Sequence, residues 1–186
     1  MSVENLLARL VAKLDAASVP YMLTGSYASS AHSIPRATRD IDIVIFPNRQ
    51  QLDAFLASLS PSDYHVDSED AVEALKRRSQ FNVIDYATGW KVDFIVPPFT
   101  DFNIEEFERR RTLDLGGFSI HIASAEDIIV AKMLWARSGE SALQIRDAAT
   151  VVSAQASKLD RVYVERWVRR LRLESEWQDV LSQAAG

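Results

Sequence analysis

Cysteine is absent from the 186 residues. That excludes disulfide bridges and thiolate metal sites, and it fits a reducing cytoplasm. Histidine is scarce: His32, His65 and His121 have none of the spacings of metal-ligating histidines, and structural or surface roles are expected of them. Positive charge is in deficit, with 21 Lys and Arg against 26 Asp and Glu and a net charge of -5. This balance argues against a chain that coats nucleic acid, although a local basic patch could hold an RNA end. Long hydrophobic runs are also missing. Near the start, Leu6, Leu7, Leu10 and Leu14 fall at helical spacing, but Glu4, Arg9, Lys13 and Asp15 interleave with them. That is an amphipathic helix rather than a signal peptide or a membrane span. The expectation is a soluble, cytoplasmic protein with no membrane partner. No internal repeat and no low-complexity tract interrupts it.

What is present suffices for a core: 47% of the residues are hydrophobic and 25% charged, which suits one α/β domain with a helical annex. A helix over residues 4–17 closes at Val19-Pro20. An apolar strand, Tyr21-Met22-Leu23, ends at Gly25-Ser26 and leads into one or two helical turns through Ala31. Residues 40–45 alternate as a strand, and residues 51–59 carry Leu52, Phe55, Leu56 and Leu59 on one helical stripe. A short strand at 64–66 and a helix at 68–78, with Val72 and Leu75 facing inward, come next. Residues 81–86 and 90–96 flank Thr88-Gly89 as a hairpin. A short helix over 104–110 carries Arg109-Arg110-Arg111, read as a solvated helix end or as a contact to substrate or RNA phosphate. Residues 112–115 and 118–122 form a second hairpin about Gly116-Gly117.

The last third reads as all helix. Ser124-Ala125-Glu126-Asp127 is a capping start for a helix running to about Arg137, with Ile128, Lys132 and Trp135 on one face. A lysine on such a stripe must snorkel or find an anion. Ser141 repeats the cap pattern for a helix with Ile145, Ala148, Ala149 and Val152 inward. Two more helices cover residues 160–172 and 174–183. Trp135, Trp167 and Trp177 are expected in the helical core. Residues 1–122 are thus read as one core, and residues 123–186 as a helical region packed on it.

Two features carry chemistry. At Gly25-Ser26 a strand meets a helix N-terminus, where backbone N–H groups face outward and glycine admits a ligand close to the backbone. At Asp40-Ile41-Asp42, carboxylates two residues apart on a strand project from one face. Such a pair repels itself, and a divalent cation is the usual reason for keeping it.

Together, Leu23-Thr24-Gly25-Ser26 and Arg39-Asp40-Ile41-Asp42-Ile43 resemble the signature of the nucleotidyltransferase superfamily, the fold of polymerase beta and of the minimal nucleotidyltransferases. The resemblance implies an α+β fold: a small mixed sheet with flanking helices, followed by a C-terminal helical bundle. It also implies a third carboxylate on a strand beside the Asp-x-Asp strand. Asp93, in Val92-Asp93-Phe94-Ile95, fits best, and Asp85 is the rival. A hairpin turning tightly at Thr88-Gly89 sets Asp93 opposite Ile84, which puts Asp85 and Asp93 on opposite faces, so only one of them can join the site.

The run from Ser124 to Lys132, with Arg146-Asp147 after it and Thr38 ahead of the carboxylates, is similar to the AbiE-type abortive-infection nucleotidyltransferase toxins. That likeness implies that Lys132 reaches the nucleotide phosphates and that Asp147 belongs to the nucleotide site. The activity implied is transfer of a nucleoside monophosphate from an NTP to an acceptor hydroxyl on RNA, protein or a small molecule. Two Mg²⁺ ions would be held by Asp40, Asp42 and Asp93, the triphosphate would be cradled by Gly25 and Ser26, and an antitoxin protein could be the partner. Arg36 and Arg39 could touch phosphate or acceptor, or lie plainly on the surface. Two alternatives are an aminoglycoside-type enzyme, with Glu69, Asp70 and Glu73 receiving the acceptor, and a non-catalytic binding protein or antitoxin. Keeping all three carboxylates together with Gly-Ser speaks against the second.

Overall fold

The computed structural model describes residues 2–33, 40–139 and 141–185. Arg36, Thr38 and Arg39 therefore lie outside the described residues. The elements are α1 (Val3–Ala16), β1 (Tyr21–Thr24), α2 (Gly25–His32), β2 (Asp40–Ile45), α3 (Arg49–Ser58), β3 (Tyr64–Val66), α4 (Ser68–Arg77), β4 (Gln80–Asp85), β5 (Lys91–Ile95), α5 (Asp101–Glu108), β6 (Arg111–Asp114), β7 (Ser119–Ile122), α6 (Ala125–Gly139), α7 (Ala142–Gln155), α8 (Arg161–Leu171) and α9 (Glu174–Ala184). Among the described residues no helix is long and apolar enough to cross a membrane. They form two compact units, one containing the strands with α1, α3, α4 and α5, the other α2 with α6 to α9.

In the first unit the strands make one mixed sheet in the order β3-β4-β5-β2-β1-β7-β6. β2 runs parallel to β5 and β1 parallel to β7; the other pairs are antiparallel. The expected α+β class, a mixed sheet with flanking helices, is what the chain forms. Period-2 patterning decides the faces. Ile41 and Ile43 of β2 stand opposite Val92 and Phe94 of β5, and all four are buried. Phe94 meets Phe55 of α3 at a centroid distance of 5.1 Å and Phe81 of β4 at 5.3 Å. These contacts put α3 on the Phe94 face. α1 covers the same face, because its Arg9 reaches Asp85, which shares a side of β4 with Phe81 and Val83.

Two local expectations change. On α4 the closest approach falls on Ala71 and Ala74, while Val72 and Leu75 are half-buried. The helix is turned by one residue, so its small side chains meet the core. The β4–β5 hairpin closes at Asp85 and Trp90, with the Asp85 N–H donating to the Trp90 carbonyl at 3.0 Å. Asp93 therefore stands opposite Asn82, and Ile84 opposite Lys91. Asp85 causes this wider turn: its carboxylate accepts from the Thr88 N–H at 3.0 Å and the Thr88 hydroxyl at 2.6 Å, a side-chain-stabilised turn. The register moves by two residues, so the face of every side chain is kept.

In the second unit Ser124 caps α6, its hydroxyl accepting from the Asp127 N–H at 3.2 Å and donating to the Asp127 carboxylate at 2.5 Å. The other oxygen of that buried carboxylate accepts from the Tyr163 hydroxyl of α8. Ser141 precedes α7 without a side-chain capping bond. Ile145, Ala148 and Ala149 of α7 are buried, joined by Val151 with Val152 half-buried. Trp167 and Trp177 are core, whereas Trp135 is 57% exposed. The buried stripe of α6 centres on Ile129, Lys132, Met133 and Ala136, which leaves Trp135 about a quarter turn away at 3.6 residues per turn.

Candidate active site

Strand register assembles the candidate centre. Asp42 of β2 stands opposite Asp93 of β5 on one side and Thr24 of β1 on the other, and Asp93 stands opposite Asn82 of β4. One step along, Asp40 stands opposite Lys91. Asp40, Asp42, Lys91 and Asp93 therefore share the face of the sheet opposite to Phe94, α1 and α3. They sit on two interior strands, where neighbours on both sides fix the backbone.

Around these acids lies a cation that the motif does not contain. Lys91 Nζ is 2.8 Å from Asp93 Oδ2 and 3.7 Å from Asp40 Oδ1. Its pKa is raised, first by the hydrogen bond to Asp93 and then by the charges of Asp93, Asp40 and Asp42, against a lowering by desolvation. The Lys91 side chain is 43% exposed, that of Asp93 only 12%. The i, i+2 spacing of Lys91 and Asp93 was the available signal in the sequence, hidden because lysine is an ordinary strand-end residue.

The two candidates for the third carboxylate lie on opposite faces of the sheet. Asp85 faces α1, where it is 1% exposed and bonded to Arg9 Nη2 at 2.7 Å; with the Thr88 bonds its oxygens serve the hairpin. Asp93 is the one beside Asp42. Among the described residues no three carboxylates or imidazoles converge closely enough to hold a metal ion as they stand. Asp40, Asp42 and Asp93 nonetheless share one face of the sheet, and two of them lie within 4 Å of a single positive charge, oxygen donors of the kind that hard divalent cations take.

The remaining candidates lie in other settings. Gly25 opens α2 with φ +67°, a conformation that glycine adopts without strain. The carbonyl of Ser26 accepts from the Ser30 hydroxyl at 3.1 Å. Lys132 finds its anion inside the helical unit: its ammonium is 3.0 Å from Asp147 Oδ2 and 3.1 Å from Gln144 Oε1, and both charged side chains are nearly enclosed. Arg110 folds onto its own helix end, donating to the Phe107 carbonyl at 2.6 Å. Glu69, Asp70 and Glu73 line a groove of about 840 Å³ with Arg49 and Asp53 of α3. Since α3 covers the Phe94 face, that groove is not part of the carboxylate cluster.

No family model matches this sequence, and neither does any curated protein. Solved structures do. An antigenic nucleotidyltransferase-like protein from Paracoccidioides brasiliensis superposes with a TM-score of 0.58 at 18% identity, over 94% of this chain and 91% of that one. ANT(2")-Ia in complex with adenylyl-2"-tobramycin gives 0.56 at 18% identity, over 93% and 97%. The lincosamide antibiotic adenylyltransferase LnuA, bound to lincomycin, gives 0.53 at 16% identity, over 81% and 97%. The fold of this chain is that of the nucleotidyltransferase-like proteins.

Proposed function

We propose that this chain transfers a nucleoside monophosphate from an NTP to an acceptor hydroxyl, releasing pyrophosphate. The observation that carries this reading is the register of β2 against β5, which sets Asp42 beside Asp93 with Asp40 on the same face, in a chain with a nucleotidyltransferase-like fold. Asp40, Asp42 and Asp93 would hold Mg²⁺. When bound, the metal neutralises phosphate charge and makes an attacking hydroxyl more acidic. The chain's own contribution is positioning and fixed charge. Gly25 and Ser26 begin α2, and the N–H groups and partial positive charge of a helix N-terminus suit a phosphate. Lys132 is assigned to phosphate charge, with Asp147 holding its ammonium in place.

Two acceptor classes follow from different observations. The stretch from Ser124 to Asp147 resembles the AbiE-type toxins and favours a macromolecular acceptor such as RNA, with an antitoxin as partner. Similarity to the structures holding adenylyl-tobramycin and lincomycin favours a small hydroxylated acceptor. One experiment serves both. The purified protein is incubated with each α-labelled NTP, Mg²⁺ and, separately, total RNA, protein and small-molecule fractions. Label is expected in one fraction together with pyrophosphate release, and to be lost in Asp42→Ala. Equal labelling by the variant overturns the reading.

A further inference from the structure

Lys91 is a cation placed where a metal's charge would be needed. Its Nζ bridges Asp93 at 2.8 Å and Asp40 at 3.7 Å, acids contributed by two different strands. Three carboxylates on one sheet face repel one another, screened by water at Asp40, whose side chain is 59% exposed, and less so at Asp93, which is 12% exposed. An ammonium within 4 Å of two of them offsets part of it. The backbone under Lys91 is fixed by β2 on one side and β4 on the other, but its side chain is 43% exposed. A four-carbon stem with that much open space can swing into water. Lys132, whose side chain is 5% exposed, has no such freedom.

We propose that Lys91 is a built-in counter-cation of the metal-free protein, which holds the Asp40–Asp42–Asp93 cluster together and must leave it for a divalent metal to enter. This inference rests on the proposed metal-binding reading and assigns that site a competitor within the chain. Metal loading is then an exchange of one cation for another. The lysine gives up a charge-assisted hydrogen bond to Asp93, and the metal gains that oxygen. Affinity for metal alone is lowered, and the acids stay in register when no metal is present.

The test measures binding of Mn²⁺, the probe ion, to the full chain by titration calorimetry and by loss of the free-ion electron spin resonance signal. Wild type, Lys91→Met and Asp93→Asn are compared at constant pH and salt. Lys91→Met keeps the aliphatic stem and is expected to bind Mn²⁺ about tenfold or more tightly than wild type, the worth of one charge-assisted hydrogen bond. Its thermal midpoint should fall in chelator and rise more than that of wild type on adding Mn²⁺. Asp93→Asn should lose Mn²⁺ binding. Equal or weaker binding by a folded Lys91→Met overturns the counter-cation while leaving the metal site standing. Absence of Mn²⁺ binding in wild type and Lys91→Met alike overturns both.

Discussion

Asp85 and Asp93 lie on the same hairpin yet point to opposite faces of the sheet, the first onto Arg9 of α1 and the second beside Asp42. Each can be removed separately, with different consequences. Asp93→Asn keeps the shape of the side chain and removes the charge that the proposed metal site draws on, so the fold should survive. Nucleotidyl transfer should drop by roughly a hundredfold or more, the scale of losing one main electrostatic group at a reacting centre. Asp85→Asn should do the reverse. It leaves the Arg9 guanidinium without its carboxylate, and breaking such a pair costs about 3 kcal/mol, the low end because Arg9 keeps some water contact. Activity per folded molecule should be unchanged. Urea denaturation and a transfer assay on both variants check this; the opposite pattern would return Asp85 to the centre.

The carboxylate strand was legible because a period-2 alternation ending in two acids has few other readings. The face assignment of Asp93 survived an incorrect hairpin register, since parity depends only on whether the shift is even. The shift itself was hidden in Asp85, whose bonds to Thr88 look like nothing in a string of letters. Lys91 was hidden for the opposite reason. Its spacing to Asp93 is ordinary for a strand end, and its second partner, Asp40, lies some fifty positions away along the chain. On α4 and α6 the periodicity marked a stripe but left its centre free to move by one residue, which exchanges Val72 for Ala71 and exposes Trp135.

Gly25 has φ +67° at the junction of β1 and α2. A Cβ in that conformation costs about 1–2 kcal/mol, so Gly25→Ala should lower the unfolding free energy by that amount. If the turn receives phosphate, KM for the NTP should rise as well. A variant as stable as wild type would mean that the junction relaxes to negative φ.

Lys132 and Asp147 form an enclosed pair, with Gln144 as a third member. Lys132→Met takes the ammonium away from the nearly enclosed Asp147 carboxylate, and the expected cost is about 3 kcal/mol. Replacing both, as Lys132→Met with Asp147→Leu, should recover most of it, because no buried charge is left unpaired. The double variant also separates the two roles of the lysine. If Lys132 serves only the helical packing, the rescued protein transfers nucleotide normally; if it serves phosphate, activity stays low in a stable protein. Denaturation midpoints and KM for the NTP, measured on all three proteins, make the distinction.

The raised pKa of Lys91 gives a pH dependence with a definite sign. Its ammonium is favoured in the folded state chiefly by the hydrogen bond to Asp93. The resulting stability is fully present below the ordinary lysine value of 10.5 and is lost as pH rises through the higher folded-state value. Tyr21 and Tyr64 act in the same direction: burial raises both phenols above 10.0, so the unfolded chain ionises first and stability falls in the same alkaline range. The useful observable is therefore a difference. With metal removed by chelator, thermal midpoints of wild type and Lys91→Met are followed from about pH 8 to about pH 11, where linkage to lysine and tyrosine operates. Wild type should lose stability more steeply than the variant, and the two curves should approach each other at the alkaline end. Because the side chain is partly exposed, the difference should shrink in high salt. Curves that stay parallel throughout would show that the ammonium contributes nothing to holding the acids.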